Sequence, residues 1–255
     1  MENKLNLKKI NYPIFFLTIL PLSIILGPSI SLINIVLLSL FFISEYFKSS
    51  RPRIYDKNTL IAFIVLYIYL LFNSSISIDY MSGFLRNVGF LRFILFFLII
   101  NLIFFKYGKN DYLFKFWTVI FLLVIIDIYV ERLLGSNLLG YGKMQINGVP
   151  QPDGARVVSF FKDEPIAGAF ATGLIFIVFG FLFDSFKQKK NSIKIFISFL
   201  MLFSLIGILI TGERSNTIKA FLGITLFFLL TDFFKWKTKL ISLLAFFLII
   251  GSVFY

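Results

Sequence analysis

Hydrophobic positions along this chain come in long unbroken runs divided by short polar clusters, with neither a period of two nor a polar helical face. The runs cover roughly 13–28, 29–47, 59–73, 84–105, 113–130, 165–183, 194–211, 217–231 and 240–255. At about 1.5 Å of rise per residue, runs of about 15–22 residues reach about 22–33 Å, close to the roughly 30 Å hydrocarbon core of a bilayer. Lipid offers no partner to a backbone N–H or C=O, so such runs must be helices; a membrane barrel would alternate polar and apolar positions instead. The pattern therefore predicts an all-α polytopic membrane protein with about nine transmembrane helices. The first run is the weakest, interrupted by Pro21 and ended by Gly27-Pro28.

Charge sets the orientation. Basic clusters within 4–9, 48–57, 106–115, 187–194 and 235–239 all fall on one side if nine crossings start in the cytoplasm, as the positive-inside rule requires. The predicted topology has the amino terminus in and the carboxy terminus out. Because both flanks of 13–47 are basic, that stretch must be a hairpin and not one bent span. No small-residue cleavage site follows the first run, which reads as an uncleaved anchor. Residues 131–164 are then an external loop, rich in Gly and Pro and without hydrophobic periodicity. The whole of 1–255 reads as a single transmembrane domain with no soluble domain and no internal repeat.

Composition narrows the chemistry. Of 255 residues 58% are hydrophobic and 15% charged, with a mean hydropathy of +0.91; a soluble domain carries about a quarter charged residues. The net charge of +12 follows from topology, so nucleic acid is not an expected partner and membrane lipid is. The chain has no Cys and no His, which excludes disulfides, thiolate metal sites and His-based zinc or haem ligation. No cofactor or metal is expected. The abundance of Phe, Ile, Lys, Asn and Tyr matches A+T-rich codons and carries no functional weight.

The arginines run against the orientation signal. Five of the seven, Arg86, Arg92, Arg132, Arg156 and Arg214, fall on the outer side, with Lys143, Lys162 and Lys219. Lysine is enough for a topology signal, whereas the guanidinium fork suits bidentate binding of phosphate or carboxylate. Arg86 is expected in the first turn of the fourth helix, where snorkelling to the interface is also open to it, and Arg92 about 9 Å deeper by helical rise, where a charge is costly and usually functional. Arg156 shortly precedes the sixth helix, whose start is expected at the acidic cap Asp163-Glu164-Pro165. Arg214 immediately precedes the eighth, with Ser215, Asn216 or Thr217 as cap. Cations beside helix amino termini suggest an anion site there; alternatively the outer carboxylates Asp79, Asp127, Glu131, Asp153, Asp163, Glu164 and Glu213 pair with these arginines. Asp127 and Glu131 share one helical face: they form an acid/base or cation-binding pair, or are solvated or bridged to arginine. Gly168, Ala169, Thr172 and Gly173 give small residues at four-residue spacing, a close-packing signal.

Two outer segments carry a resemblance. Residues 156–168, Arg156-Val157-Val158-Ser159-Phe160-Phe161-Lys162-Asp163-Glu164-Pro165-Ile166-Ala167-Gly168, resemble the Arg-x-x-Gly/Ser-Phe-Phe-x-Asp-Glu-x-x-x-Gly stretch of the O-antigen ligase and O-antigen polymerase family. Thr211-Gly212-Glu213-Arg214-Ser215-Asn216 resembles the family's Thr-Gly-x-Arg-Ser signature. The resemblance covers mainly 150–231. It implies a metal-independent membrane glycosyltransferase at the outer face of the bacterial inner membrane, acting on an undecaprenyl-diphosphate-linked glycan donor and a glycan or lipid acceptor. It further implies that Arg156 and Arg214 are the catalytic arginines that clamp the donor diphosphate, with Arg86, Arg92, Glu164 and Glu213 among the substrate-binding residues. Asp153, Glu164 and Glu213 lie beside basic residues, which favours their weakly basic charged forms. The chain departs from the family in lacking a histidine and the large external loop that follows a ninth or later helix, so it is expected to be either a carboxy-terminally incomplete copy without the catalytic base or not a ligase at all. A transporter or flippase for a lipid-linked or anionic substrate is the competing expectation.

Overall fold

A computed structural model describes residues 11–48, 57–142, 145–146, 149–150, 156–162 and 164–230. The predicted ninth helix at 240–255, the basic residues at 4–9, 51–53 and 235–239, Lys143, Asp153 and Asp163 lie outside the described residues. Among the described residues the architecture is helical, with one pair of two-residue strands, and six of the helices are long and apolar enough to cross a bilayer. The chain divides into two compact units, 1–113 and 114–255.

In the first unit the opening run is not a continuous helix. It forms α1 (Tyr12–Thr18) and α2 (Leu20–Leu26), seven residues each, too short separately to span. Pro21 has no N–H and its ring collides with the preceding turn, so the helix breaks there. Gly27, at φ +130°, then admits the turn into α3 (Pro28–Lys48). The break is mended from α3: the buried Asn34 amide donates to the Phe16 carbonyl at 3.1 Å and to the Ser23 hydroxyl at 3.2 Å. Next come α4 (Lys57–Ser75), α5 (Tyr80–Val88) and α6 (Leu91–Tyr107). The Asn87 amide of α5 reaches the Leu70 carbonyl and the Ser74 hydroxyl of α4, and Lys106 of α6 pairs with Glu45 of α3. The predicted fourth helix is thus two helices around Gly89-Phe90, together one 28-residue candidate span from Tyr80 to Tyr107. Arg86 is accordingly corrected from a first turn to the last turn of α5.

The second unit is a bundle of α7 (Asp111–Leu134), α8 (Ala167–Ser185), α9 (Asn191–Ile210) and α10 (Arg214–Leu230). The α8 helix is central, burying Ala171, Ile175, Val178 and Phe179. Phe121 of α7 meets Phe179 edge-on, and Phe183 of α8 tilts against Phe227 of α10. Tyr129 of α7 stacks on Phe203 of α9 at 4.3 Å and donates its hydroxyl to that residue's carbonyl. Gly207 admits the α7 side chains: a Cβ there would lie 3.3 Å from Tyr129. The small-residue stripe on α8 divides by function. Gly168 and Thr172 touch the α9–α10 turn and α10, whereas Ala169 is exposed and Gly173 faces open space. Residues 131–134, expected in the loop, continue α7. The loop itself carries the antiparallel pair β1 (Gln145–Ile146) and β2 (Val149–Pro150), with Gln145 opposite Pro150 and Ile146 opposite Val149.

Candidate functional site

The site gathers where α7 and α9 end and α8 and α10 begin. The α9 helix stops at Thr211, which is fully buried and donates its hydroxyl to the Ile208 carbonyl at 2.6 Å. Gly212 then turns at φ +77°, a conformation open to glycine at no steric cost. The Glu213 carbonyl accepts the N–H groups of Asn216 and Thr217 and starts α10. Across this turn lies the other motif. The Val157 N–H donates to the Thr211 carbonyl at 3.1 Å, and a Cβ on Gly212 would lie 3.7 Å from both Cα and Cγ of Arg156. Two segments far apart in sequence are therefore bonded backbone to backbone, and the stem of Arg156 rests on the turn that carries Arg214.

Glu213 is the bolt of this junction. It is 7% exposed, and its carboxylate accepts the Gly168 N–H at 2.7 Å and the Asn216 amide. Of the free N–H groups at the start of α8, which attract negative charge, that of Gly168 is met by a residue from the α9–α10 turn. This corrects two expectations. The start of α8 shows no side-chain cap from the residue preceding it, Ile166, and Glu164 is exposed on the Arg156 segment. Two of the three expected caps of α10 are also otherwise engaged: the Asn216 amide goes to the Glu213 carboxylate and the Thr217 hydroxyl to the Glu213 carbonyl. Arg214 is the first residue of α10 and not its predecessor.

Asp127 and Glu131 of α7 are not solvated, and among the described residues no arginine bridges to either. Asp127 is fully buried and Glu131 is 5% exposed. Asp127 accepts the Leu138 N–H at 2.8 Å and the Ser159 hydroxyl at 2.6 Å. Glu131 accepts the Val158 N–H at 3.1 Å and the Ser159 N–H at 2.6 Å. Ser159, buried and at φ +51°, opens a short 3-10 turn, Ser159–Phe161. Sequence reasoning missed Asn137, also buried, whose amide donates to the Ser159 carbonyl and whose side-chain oxygen accepts from Leu139 and Tyr141. A polar residue in the Gly-rich stretch just after a helix is the signal that pointed to it, since Asn favours such turns.

Arg156 and Arg214 are both exposed, and among the described residues no ion pair joins either to a carboxylate. Among the described residues the buried carboxylates Asp127, Glu131 and Glu213 take neutral N–H and O–H donors and not these guanidinium groups. Arg86 and Arg92 belong to the first unit; both are exposed, and Arg92 lies over the Phe93 ring at 5.0 Å. Among the described residues no group of three His, Cys, Asp or Glu gathers as metal ligands would.

Fold and site together define a helical membrane protein that presents two exposed arginines on one hydrogen-bonded junction of helix ends. Comparison with protein-family profiles, curated proteins and solved structures finds no match for this chain.

Proposed function

We propose that this protein is a membrane glycosyltransferase of the ligase or polymerase class, in the bacterial inner membrane. Its donor is an undecaprenyl-diphosphate-linked glycan and its acceptor a glycan or lipid. Nine crossings, amino terminus in and carboxy terminus out, place Arg156 and Arg214 at the outer face. The observation that carries this reading is the bond from Val157 N–H to the Thr211 carbonyl, with the Arg156 stem against Gly212: both arginines of the resembled motifs stand on one junction. The position that the resembled pattern gives to Gly or Ser is Ser159, whose positive φ few side chains tolerate. In the reaction an acceptor hydroxyl oxygen attacks the anomeric carbon of the donor sugar. The bond from that carbon to the diphosphate oxygen breaks, and the diphosphate leaves with the electron pair. The guanidinium groups stabilise the charge developing on it, and a base takes the acceptor proton.

The test uses a transfer-active form of the protein in proteoliposomes supplied with undecaprenyl-diphosphate-linked glycan and acceptor. Arg156→Lys and Arg214→Lys each remove most of the transfer while membrane levels hold, because lysine keeps the charge and loses the fork. Near-normal turnover in both variants refutes the assignment. A transporter or flippase is the second reading, favoured by the broken α1–α2 pair and by the buried Asn34 Oδ1, which has no partner among the described residues; transporters use such interrupted helices for binding. Movement of the lipid-linked glycan across the bilayer without transfer selects it.

A further inference from the structure

We infer that Asp127 and Glu131 are positioning residues that hold Arg156 in its anion-binding pose, an inference that rests on reading Arg156 as a diphosphate ligand. Three buried side chains from α7 and the start of the following loop converge on the backbone behind Arg156. Glu131 takes the N–H groups of Val158 and Ser159, one on each oxygen. Asp127 takes the Ser159 hydroxyl, and Asn137 donates to the Ser159 carbonyl. On its other side the segment is held by Thr211 through Val157. Arg156 itself is exposed and has no protein ion pair among the described residues, and the backbone that carries it is the part of its surroundings that these contacts fix. A positive φ at a buried, non-glycine residue persists only where its surroundings impose it, and at Ser159 these carboxylates are the surroundings.

Hydrogen-bond chemistry gives the two acids different fingerprints. Glu131→Gln keeps one acceptor oxygen for two N–H donors, so one backbone N–H faces an NH2 group. Asp127→Asn loses less: its oxygen still accepts from Leu138, and its NH2 donates to Ser159 Oγ once that hydroxyl turns round. Asp127→Ala removes both bonds.

The full chain in nanodiscs is examined by amide hydrogen exchange of the peptide 156–161 and by titration with farnesyl diphosphate as the probe. Glu131→Gln and Asp127→Ala raise exchange at 156–161 and weaken binding by about tenfold or more, the population loss expected when a buried N–H or O–H donor goes unmet. Asp127→Asn has a smaller effect on both. In an Arg156→Ala background Glu131→Gln weakens binding little further, the non-additivity of residues acting through one another. Unchanged exchange at 156–161 in both Glu131→Gln and Asp127→Ala overturns the inference. So does an undiminished loss of binding in the Arg156→Ala background. Should the unsubstituted chain and Arg156→Ala bind the probe equally, the diphosphate site itself is refuted, and the exchange result still decides whether the two acids hold the segment.

Discussion

Adding one methyl group at Gly168 should loosen the junction that joins α8 to the α9–α10 turn, while the same change five residues along α8 should not. A Cβ at Gly168 would sit 2.6 Å from Thr211 Oγ1, 2.8 Å from Glu213 Oε1 and 3.0 Å from Glu213 Cδ. Neither neighbour is free to swing away, since Thr211 is fully buried and bonded to Ile208, and the Glu213 carboxylate is bonded to Gly168 and Asn216. Two relaxations are open. The turn can shift, an overpacking cost of about 1–3 kcal/mol, or the carboxylate can withdraw and give up its bond to the Gly168 N–H, a charged hydrogen bond of about 1.5–3 kcal/mol. Against either stands the helix-forming gain of alanine over glycine, about 0.5–1 kcal/mol. Gly168→Ala should therefore destabilise by about 1–2 kcal/mol along the cheaper route. At Gly173 nothing lies within 4 Å of the new methyl, so Gly173→Ala should be neutral or stabilising by up to about 1 kcal/mol. Thermal unfolding in nanodiscs, followed by circular dichroism, reads the difference: a fall of about 2–8 °C for the first, at about 2–4 °C per kcal/mol, and none for the second. A Gly168→Ala protein as stable as the unsubstituted one would refute the packing argument and the placing of Glu213 against α8.

Reporter fusions after Lys48, Lys109 and Lys190 should report cytoplasm and a fusion after Gly148 the outer side; an inside signal at Gly148 would overturn the orientation and with it the outer site. Asp79, which begins α5 outside the candidate spans, accepts the Ser82 N–H at 3.3 Å. Hydrogen bonds from the Ser82 side chain and backbone hold its carboxyl below the ordinary aspartate value. A lowered folded-state value means that its support of α5 is present at neutral pH and is lost as pH falls through that value. A carboxyl NMR titration should place Asp79 below an unstructured aspartate, and a midpoint at or above that reference would remove the cap from the argument.

The apolar runs by themselves settled the class of protein and most of its long helices, because length against bilayer thickness and the need to satisfy backbone groups in lipid are local constraints. Runs at 29–47, 59–73, 113–130, 165–183 and 194–211 reappear as candidate spans within a few residues, and the flaw written at Pro21 reappears as the break between α1 and α2. Less was legible where a helix interrupts without proline, as at Gly89-Phe90. The two arginine motifs were visible as motifs; that their backbones are bonded to each other was not.

Only the tertiary structure decided the partners of the acids. A run of charged residues before a helix suggests its own cap, yet the amino end of α8 is met by Glu213, 45 residues further on. Asp127 and Glu131, four apart on one face, invited arginine or water and found the backbone of 158–159 and the Ser159 hydroxyl instead. The physical reason is common to these cases. A buried carboxylate must be filled by whatever donors the fold brings to it, and unpaired N–H groups occur at every helix start and tight turn whatever the side chains there. Side-chain spacing therefore shows that an acid shares a helical face, while the backbone donors that fill it are chosen by how α7, α8 and the α9–α10 turn pack.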